Sequence, residues 1–242
     1  MGPPPYGEQR DTRPRVEPGA VEDFVTCLFA RAGLPEQDAT EVSRCFVFVR
    51  LRGIASHGVS RVTVYIRRLR LGLVNARLRV RVEQTGLSTA VLDGDNGMGP
   101  VVGLAGMRTA LDLARQTGVV AVRHSNHFEA GAYYVYDAIR QQCVGVALSN
   151  VPPTMAPWGG RGRLLGTNPV AGAVPAGSYL PVVLDMATSV VARGRIILPA
   201  QRGESIPEGW ALDPTGLPTT DADAALLVYR RCQGVSTGPR LF

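Results

Sequence analysis

The chain has 242 residues, of which 45% are hydrophobic and 19% charged, a composition typical of a globular protein with a sizeable core. Its net charge is +6, and all 26 basic residues are arginine, which favours anionic ligands but is also what a coding bias toward arginine produces. There is no long basic block and no apolar run of about 18 residues, which argues against nucleic-acid binding and membrane-spanning helices.

The N-terminal segment predicts a tail. Residues 1–18 are rich in Pro, Gly and Arg, so we expect them to be disordered. They have no apolar stretch typical of a secretory signal, and we expect a cytoplasmic protein. Cys27, Cys45, Cys143 and Cys232 form no C-x-x-C pair, which predicts free thiols and no metal site. We expect Cys27 and Cys45 in the core.

The first third of the chain predicts a helical subdomain over residues 19–75. Apolar residues recur there at helical spacing, and a glycine follows each of the three periodic segments, as is common where helices end. The predicted helices are Val21–Ala32, Gln37–Leu51 and Ser60–Leu71.

From residue 76 to 225 the pattern predicts an α/β domain with a largely covered sheet. The predicted strands are Leu78–Glu83, Thr89–Leu92, Val119–Val122, Val144–Leu148 and Val182–Leu184. The predicted helices are Pro100–Gln116 and Ala130–Gln142. The last two strands are continuous apolar runs, so we expect them to be buried.

A glycine-rich turn lies between the second predicted strand and the helix that follows it. Gly97, Gly99 and Gly103 resemble a turn that seats a dinucleotide pyrophosphate on a helix N-terminus. Their spacing is looser than that of the Rossmann fingerprint, and the next strand ends in Arg123, where the fingerprint has an acidic residue. An arginine could serve a 2′-phosphate, whereas glycines after a strand are also ordinary turn residues, so both interpretations stay open.

A histidine lies at the start of the third predicted helix. Ser56 could cap that helix. Alternatively, Ser56, His57, Arg61 and Tyr65 could converge on a carboxylate, because residues four apart on a helix are neighbours and arginine binds carboxylates through paired hydrogen bonds.

A second histidine follows a strand and precedes a helix, at the edge where α/β sheets bind ligands. His127 could accept a proton from a hydroxyl near neutral pH. Asp185 follows another apolar strand, where its carboxylate could orient an imidazole, bind a ribose or cap a helix. The catalytic candidates are therefore His127, Asp185 and His57.

Eight segments in order carry a family resemblance. They are SHGVSR (56–61), LDGDNGMG (92–99), SNHF (125–128), APWGG (156–160), GTNP (166–169), LDMATS (184–189), IPEGWALD (206–213) and GLPTTD (216–221). The run from Gly53 to Asp223 resembles the malate/L-lactate dehydrogenase-like oxidoreductases, which include ureidoglycolate and sulfolactate dehydrogenases and piperideine-2-carboxylate reductase. This resemblance implies an α/β fold with a non-Rossmann cofactor domain beside an N-terminal helical subdomain, usually in homodimers. It favours a plain turn for the glycine-rich segment.

The resemblance also implies a reaction and a set of site residues. The reaction is hydride transfer between NAD or NADP and C2 of a small 2-hydroxy acid, of the malate or lactate kind, or of a 2-imino acid. His127 would be the proton acceptor. The residues implied around the substrate are Ser56, His57, Arg61 and Tyr65. The residues implied at the cofactor are Asp185, Met186 and Ala187, with Thr167 and Asn168 nearby.

The sequence departs from the family pattern in several places. Glu129 stands where a small residue is usual, Arg195 stands where a lysine is customary, and Pro199 is expected to interrupt a helix. Relatives continue beyond the last matching segment, so we expect the C-terminal part to be missing and residues 226–242 to be a divergent tail. The alternative function is a truncated, catalytically inactive family member that acts at most as a weak NAD(P) binder or a dimerisation partner.

Overall fold

The computed structural model describes residues 15–230 and has a mixed α/β architecture. The helices in this range are α1 (Pro18–Arg31), α2 (Glu36–Leu51), α3 (Val62–Arg70), α4 (Gly99–Leu113), α5 (Gly131–Arg140), α6 (Gly194–Arg202) and α7 (Ala222–Arg230), and a 3₁₀ helix (Gly58–Arg61) leads into α3. The strands are β1 (Arg81–Gln84), β2 (Thr89–Gly97), β3 (Val119–Ser125), β4 (Gly145–Leu148), β5 (Val170–Val174), β6 (Val182–Met186), β7 (Ala211–Leu212) and β8 (Pro218–Thr219). Most of both predicted tails, and Cys232, lie outside the described residues. No helix within 15–230 is both long and apolar enough to cross a membrane.

The first three helices pack around a chain of aromatic rings. Phe46 makes edge-to-face contacts with Phe29 at 5.7 Å and with Tyr65 at 5.2 Å between ring centroids, an arrangement that aromatic pairs prefer. The same core contains Met98 and Ala130 from the α/β part. The predicted domain boundary falls between α3 and β1. The division into domains stays a prediction, because this core lies on both sides of the boundary.

The first sheet has the order β1-β2-β3, with β2 antiparallel to β1 and parallel to β3. Helix α4 joins the two parallel strands. The register pairs Gly97 with Ser125, so the segments after β2 and β3 leave the sheet at the same edge. His127 lies two residues beyond this edge.

The second sheet has the antiparallel order β4-β5-β6. Helix α5 covers one face, where Val135 packs with Ala171 and Ala173. Apolar side chains on the other face belong to residues that are 52% to 68% exposed: Val146, Leu148, Val182 and Leu184. The sequence predicted that the strands observed as β4 and β6 are buried. This is wrong for the exposed face, because within residues 15–230 only one face of the sheet has a helix packed on it.

Two other predictions need correction. Helix α6 runs through Pro199 without interruption, where Ile196 and Ala200 join a small apolar cluster with α7. We attribute the continuity to this packing, which offsets the backbone hydrogen bond that proline removes. Cys45 is buried as expected, but Cys27 is exposed, because the buried residues of α1 lie on the opposite side of the helix.

Two phenylalanines on neighbouring helices provide a test of the helical core. Phe46 is fully buried, whereas Phe24 is 64% exposed. We expect Phe46→Ala to lower the free energy of unfolding by about 3–5 kcal/mol. Phe24→Ala should change it by about 0.5 kcal/mol or less, as measured by urea denaturation. Equal effects of the two substitutions would contradict this packing.

Candidate active site

The segment before the 3₁₀ helix carries the first part of the site. The Ser56 hydroxyl lies 2.9 Å from Nδ1 of His57, so its side chain contacts this imidazole and makes no cap to the helix. The His57 ring stacks on the His127 ring, with 5.6 Å between centroids and 18° between planes. The first residue of α6 reaches the same place, since a Cβ on Gly194 would lie 2.5 Å from the Cβ of Ser56.

His127 lies in the segment between β3 and α5. Its Nδ1 is 2.5 Å from the phenol oxygen of Tyr65, and its side chain is 39% exposed. Its backbone packs against the glycine-rich turn, because a Cβ on Gly99 would lie 1.8 Å from the His127 carbonyl oxygen. A Cβ on Gly103 would lie 2.6 Å from the Tyr134 ring. Close packing therefore accounts for the absence of a side chain at these two positions.

Glu129 is the residue that the sequence interpretation did not place in the site. Its side chain is 0% exposed. Its Oε1 accepts a hydrogen bond from the Tyr65 hydroxyl at 2.7 Å, and its Oε2 accepts one from the Gly58 N–H at 3.0 Å. Nδ1 of His127 lies 3.3 Å from Oε1. The sequence signal that could have identified Glu129 is its position, since it is an acidic residue two positions after a candidate catalytic histidine.

The surroundings shift the pKa of each buried group. Burial by itself would raise the pKa of the Glu129 carboxyl. The hydrogen bond and charge of His127 outweigh burial, with further contributions from His57 and Tyr65, and hold this pKa at about 2. Burial, followed by the neighbouring Glu129, raises the pKa of Tyr65 well above its usual value. At neutral pH the carboxyl is therefore ionised and the phenol protonated.

His57 differs from a solvent-exposed histidine. Burial lowers its pKa to about 4, with smaller lowering effects from His127 and Arg61 that are opposed by Glu129. His57 is therefore neutral at neutral pH and can exchange hydrogen bonds with a bound ligand without adding charge.

Arg61, in the 3₁₀ helix next to the site, has a buried guanidinium nitrogen. Its Nε is buried and has no hydrogen-bond partner among residues 15–230. Its charge is close enough to act on the pKa of both His57 and Tyr65. A buried donor without a partner is costly.

Asp185 contacts the start of α5. Its Oδ2 accepts a hydrogen bond from the Ala132 N–H at 2.8 Å, and burial raises the pKa of its carboxyl despite this bond. The carboxylate beside the His127 imidazole is that of Glu129. Asp185 instead connects β6 to the helix that begins just after the His127 segment.

The segments expected at the cofactor come together at one end of β5 and β6. Val170 pairs with Met186, and the Thr188 N–H donates to the Thr167 carbonyl at 2.9 Å. Asn168 accepts a hydrogen bond from the Val151 N–H at 3.1 Å. The sequence-predicted residues 167–168 and 185–187 thus lie side by side.

The third histidine lies outside this cluster. His124, on β3, pairs with Asp93 at 2.9 Å and is 65% exposed at its side chain. The Asp95 N–H, followed by His124 and Arg123, holds the pKa of Asp93 at about 2.

The family model described as malate/L-lactate dehydrogenase matches residues 16–232. The chain therefore belongs to the malate/L-lactate dehydrogenase family. The match continues past Asp223, where the resemblance was expected to end.

Three known proteins that are similar to this chain are named as dehydrogenases. This chain is 42% identical over 204 residues to the malate dehydrogenase of Pyrococcus abyssi, and the alignment covers 84% of this chain and 56% of that protein. It is 41% identical over 208 residues to the (2R)-3-sulfolactate dehydrogenase (NADP(+)) of Chromohalobacter salexigens, covering 85% and 62%. The crystal structure of malate dehydrogenase from Entamoeba histolytica matches with a TM-score of 0.85 and 32% identity, covering 90% of this chain and 61% of that one. The chain thus spans 56% to 62% of the lengths of these three proteins.

Two glycines with similar backbones test the packing beneath the site. Gly58 and Gly53 have φ of +71° and +74°. A Cβ on Gly58 would lie 2.4 Å from the Phe46 carbonyl oxygen, whereas a Cβ on Gly53 would have no heavy atom of the described residues within 4 Å. We expect Gly53→Ala to cost about 1–2 kcal/mol of unfolding free energy from its backbone conformation. Gly58→Ala should cost about 1–3 kcal/mol more because of the clash.

Urea denaturation measures both effects. Equal losses in the two variants would contradict the close approach of Gly58 to α2.

Proposed function

We propose that the protein transfers a hydride between NAD or NADP and C2 of a small 2-hydroxy acid, of the malate or lactate kind, or of a 2-imino acid. The observation that carries this proposal is the His127 imidazole, which is held at Nδ1 by the buried Tyr65 and Glu129, while Arg61 acts on its neighbours His57 and Tyr65. Oxidising a 2-hydroxy acid requires a base for the hydroxyl proton and a cation for the carboxylate. This cluster offers both.

His127 would act as the base. When Nδ1 carries a proton, Nε2 is the acceptor of the neutral ring, and it can take the hydroxyl proton of the substrate. In the reverse direction the imidazolium would return a proton to the same oxygen. General base catalysis of this kind contributes about 10²–10⁴ in rate.

Arg61 would bind the substrate carboxylate through its guanidinium, whose buried Nε has no hydrogen-bond partner within the described residues. Ser56, His57 and Tyr65 would surround the substrate. Their proximity to one another and to His127 supports this role, and the neutral state of His57 adds no charge that would compete with Arg61.

The cofactor would be held by Asp185, Met186 and Ala187, with Thr167 and Asn168. These residues suit a cofactor because polar side chains and backbone groups of segments 167–168 and 185–187 meet at one end of β5 and β6. Met186 is 49% exposed there. The nicotinamide would accept or supply the hydride at C2. One relative is named for NADP(+), and the ureidoglycolate dehydrogenase of Escherichia coli, 38% identical over 209 residues, is named for NAD(+); the proposal covers both cofactors.

We extend the proposal to organisation and assembly. Residues 19–75 would form the helical domain, residues 76–225 the cofactor domain, and the protein would act as a cytoplasmic homodimer. Sedimentation velocity would test the dimer.

Replacing the proposed base tests the function. We expect His127→Ala to lower kcat/KM by about 10²–10⁴-fold in assays of NADH or NADPH oxidation with a panel of 2-oxo and 2-imino acids. Binding of the reduced cofactor, followed by its fluorescence, should stay within about threefold of wild type, since a loss of proton transfer removes little ground-state binding. His124→Gln is the matched control, because that histidine pairs with Asp93 outside the site.

Two results would contradict the proposal. A His127→Ala variant with near-normal turnover would remove the base assignment. Saturable cofactor binding by a folded wild-type protein without any turnover would favour the inactive family member.

A further inference from the structure

Glu129 is a buried charge whose two oxygens are fully engaged. Oε2 faces the Gly58 N–H and Oε1 faces the Tyr65 hydroxyl and the His127 ring. Removing an ionised carboxylate from water is unfavourable unless hydrogen bonds and opposite charge compensate. The donors come from the start of the 3₁₀ helix and from α3, so both elements contribute to holding this one side chain.

The backbone at the same position is also strained. Glu129 has φ of +59°, in the left-handed region, which is unfavourable for a non-glycine residue. A glycine would avoid both this strain and the burial of a charge. Strained, buried polar residues of this kind are concentrated at functional sites. The contacts of Glu129 show which function it would serve.

The hydrogen bonds determine which ring nitrogen carries the proton. The phenol of Tyr65 has a single proton, and the ionised Glu129 can only accept, so the 2.7 Å contact between them uses that proton. Nδ1 of His127, at 2.5 Å from the phenol oxygen, must then be the donor to it. The remaining nitrogen, Nε2, has no proton in the neutral ring.

Building on the proposed function, we infer that Glu129 is a positioning residue that acts with Tyr65 to hold His127 in the Nδ1–H tautomer and to stabilise its protonated form. During oxidation the substrate hydroxyl proton moves to Nε2 of His127. The Nδ1 proton stays in place, Glu129 remains ionised and Tyr65 remains protonated. The carboxylate balances the positive charge that develops on the ring.

Other titratable groups also affect the electrostatic environment of the His127 ring, but they do not supply the negative charge that Glu129 provides. His57 stacks on the His127 ring, and Arg61 acts on His57 and Tyr65 from the 3₁₀ helix. Across the core, Cys45 on α2 and Tyr134 on α5 also interact with Glu129. Glu129 is the anionic member of this set at neutral pH, so its removal should disfavour the imidazolium.

The test reads the tautomer directly. Long-range proton–nitrogen NMR spectra of histidine-labelled protein, with His127 assigned by His127→Gln, should show an Nδ1–H tautomer in the wild type. In Glu129→Gln we expect a mixture in which the Nε2–H form reaches at least about half, as in histidines without a fixed partner. Glu129→Gly accepts the positive φ and should give the same loss if the glutamine variant folds poorly.

A matched control separates this effect from the loss of any buried carboxylate. Asp137 on α5 is 9% exposed and pairs with Arg108 at 3.4 Å. Asp137→Asn should leave the His127 tautomer unchanged. An Nε2–H tautomer in the wild type, or an Nδ1–H tautomer that persists in both Glu129 variants, would overturn the inference.

Kinetics supplies a second readout that distinguishes this inference from the proposed function. In an active enzyme, Glu129→Gln should lower kcat by about 10- to 10⁴-fold with KM within about threefold. In the direction of 2-hydroxy-acid oxidation, where His127 must be deprotonated to act as the base, it should also move the acid limb of the kcat/KM profile to lower pH. A Glu129-dependent tautomer in a protein without turnover would support the inference while refuting the dehydrogenase. Wild-type kinetics and pH profile in Glu129→Gln would overturn the inference while leaving the dehydrogenase intact.

Discussion

The site depends on one buried carboxylate. Glu129 accepts hydrogen bonds from the 3₁₀ helix and α3 while lying in the segment that follows β3. It thereby connects the helical part of the chain to the sheet edge that carries His127. Because an unpaired carboxylate at this depth would be severely destabilising, the ionised state of Glu129 requires Gly58 and Tyr65 to remain in place. Stability and the geometry of the imidazole are therefore coupled.

Close backbone approaches make this connection possible. Gly58 lies against the Phe46 carbonyl, Gly99 lies against the His127 carbonyl, and Gly194 lies against Ser56. In each case a Cβ would overlap atoms that belong to the site or support it. These three contacts bring α2, α4 and α6 against the residues of the site. The glycine-rich turn contributes through this packing.

Local patterns predicted much of this structure from sequence. The periodicity of α1 to α5 identified five helices, and the motifs around His57 and His127 identified residues that do converge. The partners of Glu129 could not be predicted, because Gly58 and Tyr65 are 71 and 64 residues away along the chain. The open face of β4-β5-β6 was also missed, since apolar strands have the same pattern whether one or both faces are covered. The short, small-residue strand β5 has too weak a signal to be recognised alone.

The most direct measurement is a double-mutant cycle on unfolding free energy with Tyr65→Phe, Glu129→Gln and the double variant, at neutral pH. Hydrogen bonds to charged groups contribute about 1.5–3 kcal/mol, so we predict a coupling energy of that size between the phenol and the carboxylate. Losses that add to within about 0.5 kcal/mol would show that the two side chains act independently, and would contradict the central place given to Glu129.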